Sequence, residues 1–163
     1  MAIRKIRVMG DDILRKTSKE VKEVNDKIRA LISDMLDTMY DAEGVGLAAP
    51  QVGILKRIAV IDVSEEADSP IVLINPVIVE TDGEQRGSEG CLSVPGKVGI
   101  VTRPDYVKVK AYTQDMEEAV YEGTGLLARA LIHEVEHLDG KIYVDLVEGR
   151  LRDVSEFEDD EEE

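Results

Sequence analysis

Between residues 25 and 42, Ile28, Leu31, Ile32, Met35, Leu36 and Met39 recur at the spacing that lines one face of an α-helix, and Asn25 is placed to cap its start. The rhythm then changes. Residues 44–53 form a glycine-rich run, Gly-Val-Gly-Leu-Ala-Ala-Pro-Gln-Val-Gly, that reads as a loop or an irregular strand. Short β candidates follow at 57–63, 71–80, 98–102, 106–112 and 118–122, separated by turn-formers such as Thr81-Asp82-Gly83. In one of them Val107, Val109 and Ala111 alternate with Lys108, Lys110 and Tyr112, as a strand with one buried face requires. Helical spacing returns from about Leu126 to Leu138 and stops at Gly140. A strong helix, several short strands and a final helix predict an α+β domain with its sheet wrapped on the last helix.

Composition narrows the class. The 163 residues are 43% hydrophobic, enough for one core, and with no Trp and a single Phe that core is mainly aliphatic. A single cysteine excludes a disulfide within the chain. The start, Met-Ala-Ile-Arg-Lys, has no apolar signal core, and no stretch approaches the ~20 apolar residues that span a bilayer. These features predict a soluble, cytoplasmic protein. The formal charge of −15 is uneven, because residues 156–163 hold seven acids and no base; without them it falls to −8. We therefore expect one catalytic domain over 1–155 and a disordered acidic tail over 156–163. An acidic body with an acidic tail argues against direct nucleic-acid binding and offers nothing to a membrane.

The candidate chemistry starts from the two histidines in the chain, His133 and His137. Four residues apart on a helix, both imidazoles project from one face, and Glu134 completes His-Glu-x-x-His. For a chain of this composition, chance produces that motif roughly one or two times in a thousand. Hydrolytic metal sites commonly use three protein ligands and leave one position open. A zincin-like protease takes its third ligand downstream, but few residues follow His137. The only thiol, Cys91 in Glu-Gly-Cys-Leu-Ser, is the better third ligand and suits zinc or iron(II); Asp139 and Asp145 are weaker candidates. In the glycine-rich run, small residues allow close backbone approach, and Gln51 offers an amide donor of the kind that stabilises an oxyanion. Arg129 lies four residues before His133 and either lines a pocket mouth or lies at the surface.

Taken in order, Gly-Val-Gly-Leu-Ala-Ala-Pro-Gln, Glu-Gly-Cys-Leu-Ser and His-Glu-x-x-His resemble the three signature motifs of peptide deformylases, and the similarity extends to about residue 147. The resemblance implies an α+β fold with antiparallel strands around a central C-terminal metal-binding helix, plus an N-terminal helix. It implies a hydrolase that removes the formyl group from the N-terminal formylmethionine of new proteins and releases formate. Cys91, His133 and His137 would hold one divalent ion, iron(II) by family habit, with zinc, nickel or cobalt able to substitute. Glu134 would be the general acid/base, and Gln51 with the Leu92 N–H would donate to the developing oxyanion. Gly46 and Gly90 would meet the bound peptide, and Val45, Leu126 and Ala130 would line the methionine pocket. Glu89, grouped with the substrate-binding residues, would also pair with Arg103 to brace the cysteine segment. Two departures stand out: Glu136 replaces the Asp common before the second histidine, and an acidic tail replaces the basic helix that some members use near the ribosome. The implied partner is a nascent polypeptide N-terminus, with at most transient proximity to the ribosome.

Overall fold

The first helix forms where the apolar spacing predicts it. In the computed structural model, which describes residues 2–154, α1 runs Asp26–Asp41. Asn25 caps it, its side-chain oxygen accepting from the Ile28 N–H at 3.0 Å. Ile28, Leu31, Ile32, Met35 and Met39 enter a core cluster with Leu47, Val52 and Ile58. At the helix end Glu43 takes a left-handed φ of 57°, and the Gly44 N–H returns to the Met39 carbonyl at 3.0 Å. That Schellman-type stop turns the chain directly into the glycine-rich run. The acidic segment 156–163, expected to be a tail, lies outside the described residues.

Among the described residues eight strands follow: β1 (Gly46–Ala48), β2 (Ile58–Ile61), β3 (Ile71–Asp82), β4 (Gln85–Cys91), β5 (Val94–Arg103), β6 (Tyr106–Tyr112), β7 (Glu118–Thr124) and, after the second helix, β8 (Glu148–Asp153). They make a five-stranded sheet of order β1-β2-β3-β6-β7 and a three-stranded sheet of order β4-β5-β8. All their pairings are antiparallel. Five strands match the sequence candidates. The run around Gly46 is a short strand, β5 starts four residues earlier than expected, and β4 and β8 carried no apolar alternation to announce them. The β4 sequence, Gln-Arg-Gly-Ser-Glu-Gly-Cys, is ordered by its register on β5, from Gln85 opposite Arg103 to Cys91 opposite Val94.

The second helix, α2 (Gly125–Leu138), is the hub. Ala128, Ala130, Leu131 and Ile132 pack against Val107, Val109 and Ala111, the buried face that the alternation in β6 predicts. Alanines let the helix approach the sheet closely. Gly140 has a φ of 75°, and a Cβ there would lie 2.6 Å from the Arg15 carbonyl carbon, so only glycine fits this turn. The extended N-terminal segment ties the motif segments together. The Arg7 N–H donates to the Gln51 carbonyl at 2.6 Å and the Met9 N–H to the Ser93 carbonyl at 2.8 Å. Among the described residues no helix is long and apolar enough to cross a membrane.

Candidate metal centre and active site

The period of α2 places His133 and His137 side by side, with their Nε2 atoms 3.2 Å apart. The β4–β5 hairpin brings the Cys91 Sγ to 3.3 Å from the His137 Nε2. The three ligating atoms all lie within 4.8 Å of one another. Glu89 accepts from the other ring nitrogen of His133, Nδ1, at 2.7 Å, which holds the ring proton there and turns the Nε2 lone pair toward the cluster. Lone pairs of two imidazoles and a sulfur converging on one point need a positive charge between them. A soft sulfur with two imidazoles suits zinc or iron(II), so the donor set fits the expected ion. Asp139 and Asp145 are outside this cluster, paired with Arg57 at 3.0 Å and Arg15 at 2.6 Å respectively.

Charges around the histidines are buried and mutually compensated. Glu89 takes the Arg103 Nε at 3.1 Å and the Arg129 Nη1 at 2.8 Å on Oε1, and the Arg103 Nη2 at 2.7 Å on Oε2. Arg103 also pairs with Glu136, so the residue in the usual Asp position is tied into the support of the ligands. Burial pushes the Glu89 pKa up, but hydrogen bonds from His133 and Arg103 override it and hold it at about 2. For His133, burial works against the charged form, yet the neighbouring charges led by Glu134 and Cys91 hold its pKa well above the ordinary value. Burial and the charge of His133 hold that of His137 well below.

A cavity of about 480 Å³ opens beside these groups. Val45, Gly46, Glu89, Gly90, Leu126 and Ala130 border it, and so do Leu92, Cys91, His133 and Glu134. Val45 and Leu126 are exposed, and they form an apolar rim. Glu134 is buried, its Oε2 lies 3.9 Å from the His133 Nε2, and its Oε1 has no partner among the described residues. Burial pushes its pKa up to about 7. Gly46 makes room for it: a Cβ there would lie 2.9 Å from the Glu134 Cδ. The Gly44 position is similar, since a Cβ there would lie 2.7 Å from the Leu92 Cδ1. Gln51 sits behind Cys91 instead of on the cavity wall. Its Oε1 accepts from the Ala48 N–H at 2.9 Å, and its Nε2 donates to the Ser93 Oγ at 3.0 Å and lies 3.5 Å from the Cys91 Sγ.

Of the two places left open for Arg129, the structure gives the pocket: it is buried, borders the cavity and holds Glu89. Its place one turn before His133 was the only available signal. The Arg103–Glu136 pair and the Tyr143 ring, 5.9 Å from that of His133, are tertiary contacts with no local signature.

Comparison with known proteins identifies the family. The sequence model of the family described as polypeptide deformylase matches residues 3–153. A peptide deformylase of Lachnoclostridium phytofermentans is 64% identical over 163 residues, covering 100% of both chains. One from Agathobacter rectalis is 62% identical over 162 residues, covering 99% of this chain and 100% of the relative. The crystal structure of a peptide deformylase from Legionella pneumophila superposes with a TM-score of 0.87 at 47% identity, covering 90% of this chain and 87% of that one. One from Synechococcus elongatus, in complex with actinonin, gives 0.85 at 44% identity, covering 89% and 79%. The chain belongs to the polypeptide deformylase family, the metal-dependent hydrolases that remove the N-formyl group from newly made polypeptides.

Proposed function

We propose that Cys91, His133 and His137 hold one divalent ion, iron(II) in the cell with zinc, nickel or cobalt able to substitute. Glu134 is the general acid/base, and the substrate is the formylmethionine at the N-terminus of a nascent chain in the cytoplasm. What carries this reading is the convergence of the Cys91 Sγ and two Nε2 atoms beside the buried Glu134 carboxyl at the wall of one cavity. When bound, the ion supplies Lewis-acid activation of water and of the formyl oxygen.

The chain's own groups do the rest. Glu134, with its pKa raised to about 7 by burial, is suited both to take a proton from the attacking water and to give it to the leaving amine nitrogen. The Leu92 N–H and the Gln51 amide donate to the oxygen where negative charge develops; losing one such donor typically lowers turnover by ~10²–10³. The Ala48 N–H holds the Gln51 oxygen, which leaves the amide nitrogen beside Cys91 and Ser93; of its two hydrogens one goes to the Ser93 Oγ, and the other is the donor in this reading. Gly46 and Gly90 let the peptide backbone approach, and Val45, Leu126 and Ala130 receive the methionine side chain. Residues 1–155 act as a single catalytic domain that binds neither membrane nor nucleic acid.

The test is formate release from formyl-Met-Ala-Ser by protein purified without oxygen and loaded with iron or nickel. We expect metal-dependent formate that disappears in Cys91→Ala and Glu134→Ala, with Glu134→Ala still holding its ion. An active, metal-loaded Glu134→Ala protein would sink the role assigned to Glu134.

A further inference from the structure

We propose that Arg129 is a positioning residue of the metal centre: it fixes the Glu89 carboxylate, and through it the His133 ring, so that the His133 Nε2 stays turned toward Cys91 and His137. This rests on the ligand assignment above and extends it to a residue outside the three motifs.

Glu89 and Arg129 are each only 6% exposed. Four N–H donors meet the one carboxylate, two on each oxygen: Arg103 Nε and Arg129 Nη1 on Oε1, Arg103 Nη2 and His133 Nδ1 on Oε2. Arg103 is not enough alone, because its remaining nitrogen pairs with Glu136 and its single charge serves two carboxylates. Arg129 restores the balance to two guanidiniums against two carboxylates. It also makes the shorter of the two contacts on Oε1, 2.8 Å against 3.1 Å.

The second anchor of Arg129 gives it reach. Its Nη2 donates to the Val101 carbonyl at 3.1 Å, and Val101 faces Gly87 in the β4–β5 ladder. One side chain thus joins the helix that carries both histidines to the hairpin that carries Cys91 and Glu89. Without it, a buried carboxylate keeps an excess negative charge beside a cavity that both residues border. The carboxylate then has a polar place to turn to. Oε2 leaves Nδ1, and the ring loses the contact that orients it.

The experiment compares ion-loaded wild type with Arg129→Met and Arg129→Lys. It reads ion release to excess chelator, the visible spectrum of the cobalt(II) form, and kcat and KM on the formyl-Met peptide. Loss of an outer-shell partner predicts ion release about 10–100-fold faster in Arg129→Met, a shifted cobalt spectrum, and a lower kcat with KM within about threefold of wild type. Lysine cannot bridge Glu89 and Val101 together, so Arg129→Lys should release its ion at least about threefold faster. Release at the wild-type rate with an unchanged cobalt spectrum in Arg129→Met would overturn the inference. If that variant does not fold, the same result in Arg129→Lys overturns it. A wild-type chain that takes up no ion overturns the ligand assignment as well, whereas one that binds an ion as tightly as its variants overturns only the role of Arg129.

Discussion

Opposite charges meet in two places in this molecule under opposite conditions. Around His133, Glu89 and the two guanidiniums of Arg103 and Arg129 are buried and hydrogen-bonded on every side. On the outer hairpin, Lys108 lies across the ladder from Glu122, at 3.4 Å, and Lys110 pairs with Glu118, with these side chains roughly one-third to one-half exposed. The residue types are the same, but the consequences of removing them differ. Buried, each group is a condition for its neighbours, since an unpaired charge there has no water to turn to. On the hairpin, water replaces a lost partner at almost no cost, and the pairs mainly keep a solvent-facing surface polar.

The largest effect follows from removing the centre of the buried set. Glu89→Ala leaves two arginines without their shared partner and His133 without the acceptor on Nδ1. We expect metal-free protein to lose about 3–5 kcal/mol in urea unfolding, with a poorly retained ion as well. A loss below ~1 kcal/mol would place the arginine charges in some other compensating contact. A smaller and more selective break is available at Gly46. Its backbone tolerates alanine, but the added Cβ would lie 2.9 Å from the Glu134 Cδ and push the carboxyl out of line. Gly46→Ala should keep its ion and its fold while kcat falls by roughly 10²-fold, as an ~1 Å misplacement of a reacting group does. Loss of the ion in that variant would show that the damage reaches His133.

The same contrast explains what the sequence could tell. The α1 helix, the β6 alternation and the His-Glu-x-x-His pair were legible because they repeat along the chain at the period of their own element. Cys91 could be picked out because the chain has few groups able to bind a soft metal. By contrast, β4 has glycines at 87 and 90 and no apolar rhythm, and it is a strand only because β5 supplies its partners. The buried charge set had no local rhythm either: the Glu89–Arg103 pair was named only through the family resemblance, and the contact of Glu89 with Arg129, forty residues away, exists only after β4, β5 and α2 have assembled. Arg129 could therefore be placed on the right helix face but not given a role.

Lys110→Ala marks the low end of the comparison. Lys110 faces Val120 across the β6–β7 ladder and reaches diagonally to Glu118, with both charged side chains about half exposed. Its removal deletes a single ion-pair contact, where Glu89 has four donors, and the freed Glu118 carboxylate is already in contact with solvent. Exposed pairs of this kind contribute little, so Tm should move by less than about 2 °C and less still at high salt, with kcat and KM unchanged. A shift several times larger would mean that the aliphatic stem of Lys110 packs between the exposed Val77 and Val120, so that the hairpin surface depends on side-chain cover. A Lys110→Met variant separates the two causes, because it keeps most of the stem and loses the charge. If Met behaves like wild type where Ala does not, packing sets the stability of this face, and the contrast with the buried set around Glu89 then becomes one of charge against cover.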